Sequence, residues 1–227
     1  MEDDLTIEFK IGDTVALIGG TGNLGPGLAL RWAKAGYKVI IGSRTPEKAQ
    51  TVVAELNQEL GEEAIIGLEN SQAVVQSKVC VLTVNQEAHQ PALLGLKDAL
   101  QGKLLIDATA RLSFPKLTPP APPAAAQLAQ EILGEGVQIV AAFQNVSARA
   151  VRKHIDQPLE SDALVCAEKL EDAEIAMTLA KAAGMRAYYV GGLDKAITVE
   201  SLTSLLVAMN KHYKVHSGTL KLSGFPE

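Results

Sequence analysis

The stretch Val15 to Gly25 reads VALIGGTGNLG. A β-rich apolar run breaks into glycines, and a helix-like pattern follows at once. Gly20, Gly22 and Gly25 satisfy G-x-G-x-x-G between a strand and a helix. In that setting glycines let the backbone approach a pyrophosphate, and the helix N-terminus offers N–H donors and the positive end of its dipole. The motif is weak alone; its strand–turn–helix context and the Ser43-Arg44 pair after the next strand strengthen it.

Working outward, the chain alternates strand and helix. Strands are predicted over residues 14–18, 38–41, 64–68, 79–84, 103–107 and 137–142. Helices are predicted over 24–35, 46–60, 71–76, 89–100 and 123–133. Runs such as VCVLTV (79–84) are apolar without alternation, as strands covered on both faces are. The expected fold class is therefore α/β: a Rossmann-type, doubly wound, mostly parallel sheet. Pro46 fits a first helical turn, with Thr45 as its cap. Beyond residue 145 a smaller α/β unit is expected, with strands at 163–167 and 187–190 and helices at 172–183 and 197–215. The division is 1–145 for nucleotide binding and 146–227 for covering the substrate. Leu202, Leu205, Leu206 and Met209 form an apolar stripe suited to core or a dimer interface. The proline-dense segment 113–123, SFPKLTPPAPP, reads as an extended loop beside a strand end and a candidate pocket wall. Residues 5–9 alternate enough for an added edge strand.

The end of the second strand chooses the dinucleotide. NAD-binding proteins commonly place a carboxylate there, which accepts from the ribose 2′-OH and would repel a 2′-phosphate. Here the strand ends IIGSRTPEK (40–48), with no acid before Glu47. Ser43 can donate a hydroxyl, Arg44 can pair with phosphate, and Lys48 lies one helical turn onward. NADP(H) is the expected cofactor. Gly19, Gly22 and Gly25 also fit the G-x-x-G-x-x-G of short-chain dehydrogenases, but the Tyr-x-x-x-Lys pair of those enzymes is absent. Four residues after Tyr37, Tyr188, Tyr189 and Tyr213 stand Ile41, Gly192, Leu193 and Ser217.

The run GGTGNLGPGLALRWAKAGYKVIIGSR (19–44) closely resembles the start of NADPH-dependent F420 reductases, and VCVLTV, AAFQNVSA (141–148) and VESLTSLLVAMN (199–210) resemble later blocks of that family. The resemblance implies a Rossmann domain with a small C-terminal domain, in a homodimer. It implies that Thr21, Gly22, Asn23 and Leu24 hold the pyrophosphate, and that Ser43, Arg44 and Lys48 hold the 2′-phosphate. Val84 to Ala88 would approach the nicotinamide, and Ala148 would close over it. The deazaflavin ring of coenzyme F420, the implied co-substrate, would stack against the nicotinamide near Asn85, Gln144, Asn145, Val146 and Ser147. The chain departs from the family where a proline and an aromatic are replaced by Asn85 and Gln86. It departs again where Ala88 and Gln144 stand in place of histidines, with His89 one position after Ala88.

Hydride transfer between two ring cofactors needs orientation and exclusion of water more than protein acid–base groups. No convincing His–carboxylate or Tyr–Lys pair is visible, and no catalytic residue is assigned. His154, His212 and His216 read as surface residues, whereas His89 opens a helix near the expected acceptor. Asn85, Gln144 and Asn145 could hydrogen-bond ring carbonyls. The leading expectation is an NADP-dependent oxidoreductase acting on a deazaflavin. The alternatives are an NADPH-dependent reductase of a flavin, quinone or small carbonyl, and a non-catalytic redox sensor. The net charge of −5 in 227 residues argues against nucleic-acid or membrane-surface partners. No apolar run approaches the ~20 residues of a membrane span, and no metal-ligand spacing appears. Cys80 and Cys166 sit in apolar runs as free thiols, which fits the cytoplasm.

Overall fold

The computed structural model describes residues 7–226. In chain order the elements are β1 (Thr14–Ile18), α1 (Gly25–Lys34), β2 (Lys38–Ser43), α2 (Pro46–Leu60), β3 (Ile65–Glu69), α3 (Asn70–Val75), β4 (Val79–Leu82) and α4 (Gln86–Leu100). They continue with β5 (Leu104–Asp107), α5 (Ala125–Leu133), β6 (Gln138–Ala141), α6 (Ala148–Arg152), β7 (Asp162–Ala167), α7 (Leu170–Ala182), β8 (Arg186–Gly191) and α8 (Ala196–Tyr213). One eight-stranded sheet results, in the order β3-β2-β1-β4-β5-β6-β7-β8. Every pairing is parallel except β6 with β7. Residues 146–227, expected as a small separate unit, thus contribute β7 and β8 to this same sheet. They attach through the short antiparallel register Val140↔Ala167 and Ala141↔Cys166.

The unalternating strands are explained by two hydrophobic layers. One face of the sheet buries α1, α2, α6 and α7 around Trp32 and Phe143, whose rings meet edge-on at 6.1 Å. The other buries α3, α4, α5 and α8 around Leu93 and Leu100. Chain order reverses between β1 and β4, so the connections after these two strands diverge and leave a crevice at their C-terminal ends.

Two details differ from expectation. Thr45 precedes α2 but its hydroxyl makes no cap bond; Ser43 Oγ instead accepts the Thr45 N–H at 3.2 Å. The predicted edge strand at 5–9 falls partly outside the described residues, and residues 7–10 form no strand. Phe9 stacks on Tyr37 at 5.4 Å, which accounts for the alternation as packing.

Candidate nucleotide and acceptor clefts

Two clefts open at the C-terminal end of the sheet. The first, about 770 Å³, runs from the glycine turn past the ends of β2 and β4 to the start of α6. The second, about 620 Å³, lies between the β6–α6 segment and α8. Asn23 and Ala148 line both, so the clefts meet there.

The glycine turn is built by close packing on one side and open space on the other. A Cβ on Gly25 would stand 2.2 Å from the Gly20 carbonyl oxygen, so only glycine lets α1 start so near the turn. At Gly22 the nearest protein atoms to a Cβ would be at 3.7 Å, ordinary contact, while the residue faces the cleft. Its missing side chain therefore clears room for a ligand rather than for the protein. No side chain caps α1, and with Pro26 carrying no N–H the first-turn donors are those of Gly25 and Gly27. This geometry fits a pyrophosphate. Thr21, Asn23 and Leu24 line the cleft; Gly20 and Gly25 shape it from behind.

Beyond β2, Ser43, Arg44 and Lys48 line the same cleft. Arg44 and Lys48 are exposed and, among the described residues, pair with no carboxylate. Glu69 is the one acid among the described lining residues. Burial opposes its ionisation, but hydrogen bonds from the Ser71 hydroxyl and from the amides of Ser71, Gln72 and Asn70 outweigh this and lower its pKa. The carboxylate therefore stays ionised at the start of α3, and Arg44 and Lys48 against it leave the corner with a net positive charge. Beside it, the buried Asn70 accepts the Gly19 N–H on Oδ1 at 3.1 Å and ties α3 to the glycine turn. Sequence reasoning missed Asn70; its signal was its place directly after Glu69, the strand partner of Ser43.

Val84, Asn85 and Ala88 line the inner end of the first cleft, and Gln144, Asn145, Val146 and Ser147 line the second. The side-chain amides expected to face the acceptor are largely engaged within the protein. Asn85 Oδ1 caps α4 by accepting the Ala88 N–H at 3.0 Å. Gln144 Nε2 donates to the Asp107 carbonyl at 2.8 Å, and Asn145 bridges the Asp162 carbonyl and the Leu164 N–H at the start of β7. Buried backbone groups at strand ends require such partners. His89 lines neither cleft: it is buried, with Nε2 2.6 Å from Asp107 Oδ2. Asp107 is fully buried, so it needs a polar partner, and the first turns of α4 supply one.

Other missed residues come from the chain beyond the motifs. Thr203, Leu206, Val207 and Asn210 of α8 wall the second cleft. Leu112 joins them, held by Gln86 Oε1 accepting its N–H at 2.9 Å. The proline-dense residues 113–123 line neither cleft; the wall is made by Ala108, Ala110 and Leu112 just before them. The buried carboxylate of Glu200 on α8 fixes that segment, accepting from the Arg111 amide and guanidinium at 2.9 and 2.6 Å and from the Ala125 N–H at 3.0 Å.

Sheet order, glycine turn and cationic corner together put the chain among the NADP-type Rossmann oxidoreductases. A family model described as NADP oxidoreductase, coenzyme F420-dependent, matches residues 14–111. The F420-dependent NADP reductase of Methanothermobacter thermautotrophicus is 36% identical over 223 residues, covering 94% of this chain and 96% of that one. That of Methanocaldococcus jannaschii is 38% identical over 211 residues, covering 88% and 93%. The chain belongs to the F420-dependent NADP reductase family. The fold agrees with the crystal structure of a candidate enzyme of that description from Arthrobacter sp. FB24, with a TM-score of 0.77 at 18% identity over 93% of this chain and all of that one. Among the described residues no helix is long and apolar enough to cross a membrane, and no cluster of metal-ligating side chains occurs.

Proposed function

We propose that the protein transfers a hydride between NADP(H) in the first cleft and the deazaflavin F420 in the second. The observation that carries this is the junction of the clefts at Asn23 and Ala148, which would let the two rings stack face to face. The two bound groups would supply the hydride donor and acceptor, with the accompanying proton exchanged with solvent, in either direction. The protein's part is placement. The turn from Gly20 to Gly25 with Thr21, Asn23 and Leu24 holds the pyrophosphate, while Ser43, Arg44 and Lys48 hold the 2′-phosphate. Val84 and Ala88 flank the nicotinamide, and Ala148 closes over it. Val146 and Ser147 border the acceptor ring, with Gln144 and Asn145 shaping its floor and Asn85 on the nucleotide side of the junction. His89 supports that floor through Asp107. Holding reactants in an oriented, water-poor contact lowers the barrier without an acid–base pair.

NADPH oxidation with purified F420, and separately with FMN, tests this reading. Turnover with F420 and little with FMN is expected. Turnover with FMN alone would make the protein a flavin reductase, and tight NADPH binding with neither turned over would make it a sensor. A homodimer in the cytoplasm completes the proposal. The exposed Leu205, Met209 and Tyr213 recur every four residues along α8 and suit a second copy, and the buried free thiols Cys80 and Cys166 suit a reducing compartment.

A further inference from the structure

The second cleft carries more positive charge than a neutral ring needs. Arg149 and Arg152 of α6 line it, and among the described residues no aspartate or glutamate does. The two arginines are three residues apart, on one side of the helical turn. Arg152 is held in place by Glu59, which accepts from Nη1 and Nη2 at 2.8 and 2.5 Å. Arg149 is exposed and, among the described residues, meets no carboxylate. The wall supplied by α8 is apolar at Leu206 and Val207. The cleft thus combines an apolar wall for a flat ring with a cationic mouth, and Ala148, next to Arg149, joins it to the nucleotide cleft.

We propose that this cleft takes a ring acceptor bearing an anionic side arm, and that Arg149, with Arg152 beside it, receives the phosphate or carboxylate groups of that arm. The inference rests on the acceptor reading above and adds its specificity. A guanidinium pairs with such groups through two parallel N–H···O bonds, which fixes orientation as well as charge. Among the described residues no carboxylate competes for Arg149, whereas Arg152 is already paired with Glu59 and adds its charge only as part of that pair.

The test compares F420 with the same deazaflavin cut back to its neutral ribityl alcohol, using NADPH as donor. The wild-type protein should favour F420 in kcat/KM by about tenfold or more at low salt, and the preference should shrink as salt screens the contact. In Arg149→Gln the F420-to-alcohol ratio should fall toward one, and Arg149→Lys should recover part of it. Equal kcat/KM for the two deazaflavins in the wild type, or an unchanged ratio in Arg149→Gln, would overturn the side-arm proposal while leaving the acceptor reading intact. Turnover of neither deazaflavin would overturn both.

Discussion

Arg44 is a single exposed guanidinium, and the cofactor preference turns on what surrounds it. Glu69 lies across the strand pair from Ser43, yet its carboxylate is engaged by Ser71. Arg44 and Lys48 outnumber that single carboxylate, so the end of β2 keeps a net positive charge toward a phosphate. Replacing Arg44 with alanine removes a charge-assisted contact of about 1.5–3 kcal/mol, on the order of a ten- to hundredfold loss. The loss should fall on NADPH and spare NADH, because only NADPH carries the 2′-phosphate. Fluorescence titration of both nucleotides checks it, and equal losses would refute the cationic corner. His89 shows the limit of reading residues singly. Its place near the start of α4 was legible, but its partner Asp107 lies 18 residues away on another element. Only the packing of α4 on β5 reveals that the imidazole turns inward.

At the scale of elements, α1 does more than present its N-terminus. The buried guanidinium of Arg31 donates to the carbonyls of Val151, Lys153, His154, Gln157 and Ala183, binding α6 and the segment after it to the nucleotide helix. Burial pulls its pKa down, against the attraction of Asp156. Arg31→Met leaves those carbonyls without a donor and should cost about 2–4 kcal/mol, read as a lower urea midpoint. The KM for the acceptor should also rise, since α6 carries Ala148. This is also why α6 was not legible: five residues make too weak a pattern, and what orders them lies 120 residues earlier. The strands were legible because two-sided burial writes itself into uninterrupted apolar runs, and α1 because its glycines and apolar spacing are local. At the other end, Asp162 accepts from Arg186 Nε and Nη2 at 2.8 and 2.7 Å and from the Leu222 N–H at 2.6 Å. Burial opposes its ionisation, but these bonds outweigh it and depress the pKa. A depressed carboxylate stabilises the fold above its unfolded value of about 3.9 and loses that contribution as pH falls through the folded value. The stability deficit of Asp162→Asn should hold steady from pH 6 to 8 and shrink below about pH 4 in urea titrations.

For the molecule as a whole, function depends on two separately built clefts sharing one seam. The nucleotide cleft is made by the local βα turns of β1, β2 and β4, which motifs announce. The second cleft is assembled from the β6–α6 segment, Leu112 and α8, residues scattered from 112 to 218 whose convergence no local pattern encodes. Ala148 lines both, and on the proposed reading a small residue there would let the two occupants touch. Ala148→Leu would place a branched side chain in the seam while leaving the phosphate corner at Arg44 and the arginines of α6 unaltered. A displacement of the rings by about 1 Å costs on the order of a hundredfold in an oriented transfer. The expected result is a fall in single-turnover hydride transfer of that order, with the affinity for NADPH reduced far less. Calorimetric titration of NADPH and rapid-mixing measurement of the transfer step separate the two quantities. If the affinity and the transfer rate fell together, Ala148 would belong to the nucleotide cleft alone, and the rings would have to meet elsewhere.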